Sequence, residues 1–319
     1  MTTRRTLIKG AMAAAATTAL LQTRLSFAAA AQQVSKVNFA VPAGACDCHT
    51  HIHGDPVKYP WFAGRTYTPE MATPEEMLKV HKALGVQRVV IVTPSVYGAD
   101  NSASLWGMQA RGRDARGVAV IDDKTTEADL DAMHKAGMRG IRLNLATSGV
   151  SDPNVARKRF EDAAARMKSR GWHIQVNTSL PIIAALKDTL MNSPVPIVFD
   201  HFGGAAPEQG VQQPGFYEMA ELVNKGKAYV KISVSAGPRD SYAGFAPMAR
   251  VLIAANVDRI LWGTNWPHPN SASGRPATQM TPLWQVDNGI VFNQLPTWAP
   301  DADVRKKILV SNPARLYQF

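Results

Sequence analysis

Ala45-Cys46-Asp47-Cys48-His49-Thr50-His51 is the stretch on which the reading of this chain turns. Side chains alternate across a β-strand, so Asp47, His49 and His51 are expected on one face and Cys46, Cys48 and Thr50 on the other. Imidazoles on a buried face need polar partners, because an unpaired buried polar group costs on the order of 1–3 kcal/mol. The cysteines suit the face that packs on helices. Two residues apart in an extended strand, they are too close for ordinary disulfide geometry. Free buried thiols are therefore expected, with metal ligation the lesser alternative.

Seven further apolar β-type runs follow, over residues 87–93, 117–121, 140–145, 172–177, 196–201, 228–233 and 259–264. Helical patterns separate most of them. Thr73-Pro74-Glu75-Glu76 reads as a capping box with proline at the first helical position. Others cover 127–136, 153–169, 182–192, 215–225, 241–255 and 302–310. Eight strands alternating with helices in a chain of 319 residues point to a closed (β/α)8 barrel. A doubly wound sheet is the runner-up, but no glycine-rich nucleotide fingerprint follows the first strand. The longest non-periodic stretches, 53–72 and 267–299, both follow strands. They are expected at the C-terminal mouth, where barrel enzymes place their active sites.

Residues 1–30 read as an export leader rather than as part of the fold. They carry Arg4-Arg5, a short apolar run from Ala11 to Leu21, and Ala28-Ala29-Ala30. That is the pattern of a twin-arginine signal followed by a periplasmic mature domain over 31–319. The apolar run is about half the ~20 residues that span a bilayer, so no stable membrane span is expected. The formal net charge is +10, and without Arg4, Arg5, Lys9 and Arg24 it is nearer +6. There is no basic stripe interleaved with aromatics, which argues against nucleic acid as a partner. A modest positive balance suits small anionic substrates. The sequence does not set an oligomeric state.

The sixth run ends Asp200-His201-Phe202-Gly203-Gly204, a histidine at a strand's C-terminal end beside glycines that let a ligand approach. The eighth ends Gly263-Thr264-Asn265-Trp266-Pro267-His268-Pro269-Asn270. With the first-strand His-x-His, these motifs resemble the amidohydrolase superfamily, and within it the branch of the 2-pyrone-4,6-dicarboxylate lactonases. The similarity runs from about Val41 to Tyr317. It includes Tyr67-Thr68-Pro69, the loop from Ser95 to Asn101, Gly140-Ile141-Arg142 and the tail from Asn312 to Tyr317. His-x-His alone is weak, but all the motifs in this order are specific.

The resemblance implies roles residue by residue. His49, His51, His201 and Asn265 fall on catalytic positions, with His201 positioning or activating water and the substrate carbonyl. Tyr67, Ser95, Tyr97, Arg142, His268 and Asn270 fall on substrate-binding positions. Arg142 makes independent sense, since an arginine near the mouth of the fourth strand can clamp a carboxylate bidentately. Three departures stand out. Asn265 replaces the usual aspartate base, and a carboxamide has no usable basicity at neutral pH. Ser148 falls where the lactonase has its second carboxylate-binding arginine. Asn177 replaces a pocket tyrosine.

His49, His51 and His201 can supply three ligands to a single Zn²⁺. The fourth-strand Lys or Glu and fifth-strand His of binuclear members have no equivalent, and His173 sits at the wrong end of its strand. The expectation is no cofactor or one Zn²⁺. Lys231 shares a face with Ser233, and whether it points inward or toward helices stays open. His81 and His134, on helical patterns, are expected to face solvent, and His53 to be a loop residue. Three functions follow in order: hydrolysis of a small carboxylated lactone, lactone isomerisation by internal acyl transfer, and binding without catalysis.

Overall fold

The computed structural model describes Ala30 and residues 32–235 and 237–319. The expected export leader over residues 1–30, Ala30 apart, lies outside the described residues. Among the described residues no helix is long and apolar enough to cross a membrane. Eight parallel strands follow one another in chain order: β1 Cys46–Thr50, β2 Arg88–Val92, β3 Ala115–Ala119, β4 Met138–Asn144, β5 His173–Asn177, β6 Ile197–Phe199, β7 Ala228–Lys231 and β8 Ile260–Leu261. Backbone hydrogen bonds close the circle just beyond β8. Cys48 donates to the Trp262 carbonyl and Asn265 to that of His49, each at 2.9 Å. The chain is a (β/α)8 barrel.

Helices pack outside. Helix α1, Pro74–Leu84, carries the expected capping box between Thr73 and Glu76. Helix α2, Ser102–Arg111, was not legible in the sequence because Gly107 interrupts its pattern. A Cβ on Gly107 would lie 2.6 Å from Ile52 and 2.9 Å from Ile91, so close packing offsets the ~1 kcal/mol cost of glycine in a helix. Helix α3, Glu127–Lys135, and helix α4, Pro153–Met167, follow β3 and β4. The two long loops meet at the mouth, where Thr68–Pro69 pairs with Met280–Thr281 in a two-stranded ribbon.

The first strand does not alternate as expected. Asp47 lies opposite Val89 and Thr50 opposite Ile91, so β1 carries one residue more than β2 over that span. This bulge turns both Cys48 and His49 inward, and it reverses the assignment of the cysteines. Cys46 and Cys48, both free, line the barrel interior with Val90, Val92, Val118, Val198 and Leu261. Asp47 faces outward and reaches His81 on α1, with Asp47 Oδ2 3.2 Å from His81 Nε2. His81 is accordingly buried rather than solvent-facing, while His134 is exposed.

The interior is layered. The Tyr317 ring closes the bottom, edge-on to His173 with centroids 5.2 Å apart. Gly140 leaves the space for His173, since a Cβ there would fall 2.4 Å from the ring. Above the apolar layer lies a polar one of His49, Arg142, Gln175, Asp200 and Lys231, each buried.

Candidate active site

The polar layer fixes the direction of its own hydrogen bonds. The Val92 carbonyl can only accept, so His51 Nδ1 donates to it at 2.7 Å. His51 Nε2 is then an acceptor and receives the proton on His49 Nε2, 3.2 Å away. His49 Nδ1 is left as an acceptor facing Lys231 Nζ at 3.3 Å. Lys231 also donates to Gln175 Oε1 at 2.6 Å and lies 3.5 Å from Asp200 Oδ1. A one-way chain thus runs from Lys231 through His49 to His51. Burial holds His49 and His51 well below the ordinary imidazole pKa, against the pull of Asp200 on His49. Both rings are neutral at pH 7.

Asp200 is the residue this layer is built around, and it carried no role in the sequence reading. Arg142 Nε donates to Asp200 Oδ2 at 2.9 Å and Gln175 Nε2 at 3.1 Å. Burial alone would raise the Asp200 carboxyl, but the Lys231 and Arg142 cations beside it hold it well below the usual carboxylate range. A sequence signal existed. Two residues after Val198, Asp200 is the one acid in an apolar run and falls on the inward face.

His201 follows immediately with a φ of 49°, and Phe202 has a φ of 54°. Left-handed backbone in such residues stores strain of order 1–3 kcal/mol and clusters at functional sites. Gly204 makes the turn feasible, because a Cβ there would meet the Thr178 carbonyl at 2.5 Å. His201 Nδ1 lies 2.7 Å from Ser233 Oγ, and its ring centroid is 4.4 Å from that of His49. Burial lowers the His201 pKa to about 4, with Asp200 opposing and Arg142 and Lys231 reinforcing. Asn265 also has left-handed backbone, at φ 66°.

These side chains open into a cavity of about 340 Å³ at the C-terminal mouth. His51, Tyr67, Ser95, Arg142, His201 and Asn265 line it, with Asn177 and the loop after β8. No Asp or Glu is among the described lining residues. Tyr67 is hydrogen-bonded to Ser95, and burial pushes its phenol up to about 12. Arg142 commits Nε to Asp200 and Nη1 to Asn144 Oδ1 at 2.6 Å, which leaves Nη2 for a ligand.

Residues 46–319 match the amidohydrolase family model. The chain belongs to this family. It is 32% identical to a 2-pyrone-4,6-dicarboxylate hydrolase of Comamonas testosteroni over 295 residues, 89% of this chain and 93% of that protein. It is 28% identical to a D-galactarolactone isomerase of Agrobacterium fabrum over 294 residues, 88% of this chain and 94% of that one. A crystal structure of an Agrobacterium tumefaciens protein in its apo form superposes with a TM-score of 0.72 at 26% identity. That match covers 89% of this chain and 98% of the other. The named relatives are enzymes, and this amidohydrolase is an enzyme of lactonase-like type.

The amidohydrolase places three expected binding residues away from the cavity lining. Tyr97 stacks on Trp61, centroids 4.8 Å apart, and its hydroxyl accepts from the Gly54 amide at 2.8 Å. The short 3₁₀ turn of Ser95–Tyr97 sends Ser95 to the cavity and Tyr97 into the packed loop. His268 is buried with Nε2 2.9 Å from Asn288 Oδ1, so it braces the loop. Asn270 lies between Pro269 and Ser271, which face the cavity in its place. His53 is buried with Nδ1 donating to the Glu70 carbonyl at 3.2 Å.

The expected metal set also changes. The donors that gather are His49, Asp200 and His201, with ligand atoms all within 4.8 Å of one another. His51 drops out because Val92 and His49 occupy its two nitrogens. The charges oppose a divalent ion. His49 Nδ1 and Asp200 Oδ1 are 3.2 Å apart, and the Lys231 ammonium lies 3.3 and 3.5 Å from the same two atoms. An ion bound about 2 Å from each ligand would sit against that ammonium. The residues present do not fit a divalent cation while Lys231 is charged.

Proposed function

We propose that this amidohydrolase opens a small carboxylated lactone with water, without a metal. One observation carries the reading: among the described residues, the ionisable side chains lining the cavity are one guanidinium, two neutral imidazoles and a phenol. Arg142, with Tyr67 and Ser95, holds a substrate carboxylate. That anion raises the His201 pKa toward the working range of a general base. His201 takes the proton from water as oxygen attacks the lactone carbonyl, and the ring oxygen leaves as the alcohol after reprotonation. His51, with both ring nitrogens engaged, forms the wall beside the substrate carbonyl, and the Asn265 carboxamide N–H donates to the carbonyl oxygen as negative charge develops there. Asn265 orients the nucleophile by hydrogen bonding.

Asn265 itself favours a second reading, isomerisation. With no strand-eight carboxylate to activate water, a hydroxyl of the substrate attacks the carbonyl and the ring changes size. The test is turnover of sugar-acid, pyrone and muconolactone carboxylates in ¹⁸O-water, followed by NMR and mass spectrometry. Label in a ring-opened acid marks hydrolysis, and a new ring without label marks isomerisation. Under either chemistry His201→Ala is expected to lower kcat by about 10²–10⁴. Asn265→Asp is expected to raise the hydrolytic share. Full turnover in His201→Ala would remove His201 from the reacting centre.

A further inference from the structure

A second cavity, of about 420 Å³, adjoins the first and shares Thr66, Ser95, Arg142 and Thr147 with it. It runs from the mouth between the outer face of β4 and helix α4. Its walls include Phe62, Val120, Ile121, Leu143, Leu145 and Ala163. Phe62 is 49% exposed, and Val120, Ile121, Leu143 and Ala163 are only partly buried. Apolar side chains left open in a concave space, rather than scattered singly, mark a ligand site. Of the charged lining residues, Asp122, Asp123, Arg159 and Asp162 are exposed, and the half-buried Arg65 is tied to Thr68 Oγ1 at 2.6 Å and to the Phe62 carbonyl at 3.0 Å. Arg166 is tied at the same place to the Asp122 carbonyl at 2.9 Å. The annexe therefore has apolar walls between a polar junction with the first cavity and exposed charged residues.

We propose that this annexe is a substrate subsite for an apolar alkyl or aryl arm, so that the substrate is a lactone with a carboxylate on Arg142 and such an arm beyond it. The proposal rests on the lactone reading and extends it. Arg142 stands at the junction of the two cavities. A carboxylate held there directs the reacting ring toward His201 and leaves the opposite side of the molecule facing the annexe. The arm displaces water from the exposed apolar walls, and each buried methylene adds to binding in ground and transition states alike.

The test compares γ-butyrolactone carboxylates bearing hydrogen, butyl or phenyl at the ring carbon remote from the carboxylate. The arm is expected to raise kcat/KM by about tenfold or more. Ala163→Trp fills the annexe from α4, and Ser148→Trp fills it from an exposed rim where no fold contact is at stake. Both are expected to erase the arm's advantage while the unsubstituted lactone stays within twofold. Titration calorimetry with succinate and benzylsuccinate reads binding without chemistry. If no lactone is turned over but benzylsuccinate binds tenfold tighter than succinate in the wild type and not in the variants, the subsite stands and the lactone reading falls. Turnover of the unsubstituted lactone with no gain from an arm overturns the subsite alone. Equal binding of the two succinates without turnover overturns both.

Discussion

Two buried Asp–His pairs flank the same strand and do different work. Outside the barrel wall Asp47 meets His81, and inside it Asp200 meets His49, each at 3.2 Å and each fully buried. Asp47 is surrounded by neutral donors. The amides of His49 and Thr264 donate to its Oδ1 at 3.0 Å, and Thr264 Oγ1 donates to Oδ2 at 2.5 Å. Arg111 touches this pair only through His81 Nδ1, at 2.6 Å. Asp200 has two cations on it, Arg142 and Lys231, and stands beneath the cavity. The first arrangement ties β1 to the chain after β8 and leads nowhere. The second is in contact, through Arg142 and through the line from Lys231 to His49 and His51, with residues that line the cavity. An Asp–His pair therefore marks an active site by what lies beyond it, not by its own geometry.

Breaking the inner pair is expected to give the largest change. Asp200→Asn removes the counter-charge of Arg142 and Lys231, so Arg142 loses its fixed direction and the His49 chain its electrostatic reference. A loss of kcat/KM of about 10³ is expected, since misplaced positioning groups cost of order 10² and lost transition-state electrostatics of order 10²–10³. Steady-state kinetics on the best lactone reads it. A loss under tenfold would show that the inner pair is as structural as the outer one. Breaking the outer pair comes next. Asp47→Ala leaves His81 and the amides of His49 and Thr264 without their acceptor in the interior, and each buried polar group left unsatisfied costs about 1–3 kcal/mol. Chemical denaturation reads that cost, while the folded fraction is expected to keep kcat/KM within tenfold. Near-wild-type stability of Asp47→Ala would dissolve the contrast between the pairs.

The barrel was legible in the sequence because strand runs and helix patterns alternate eight times, and mouth loops are long. Which way the first strand faces was not. One extra residue between Asp47 and Thr50 moves the cysteines to the interior, and no local pattern in Cys-Asp-Cys-His announces a bulge. The same slip hid His81, whose burial depends on Asp47 pointing outward. Arg142, Ser95, Tyr67 and the histidines His51 and His201 could be placed near one another because each ends a strand or follows one. Gln175 gave no signal in the sequence and Asp200 only its place as the one acid in an apolar run, since their importance lies in the bonds they share with residues on other strands. Tyr97 and His268 were misplaced for the opposite reason. Each sits in a motif beside a cavity residue, but turn geometry sends its own side chain elsewhere.

Lowering the pH probes both sides of the comparison by a smaller amount. Burial holds His53 and His173 at about 3 and His201 and His268 at about 4, against an ordinary imidazole value of 6.5. Their folded pKa values lie below the unfolded ones, so the unfolded chain binds more protons in between. Their contribution to stability is complete above about pH 6.5 and is lost as pH falls toward 4. Each such histidine is worth about 1.4 kcal/mol per pH unit inside that window. His81 and His49 are lowered too, so neither pair resists acid by becoming charged. Denaturation midpoints are therefore expected to drop steeply between pH 6.5 and 5, while kcat/KM of the folded enzyme stays flat. The acid limb of kcat/KM belongs below pH 5, because free His201 titrates at about 4. An acid limb near 6.5 with unchanged stability would mean that the working base is a solvated imidazole, and would take His201 out of that role.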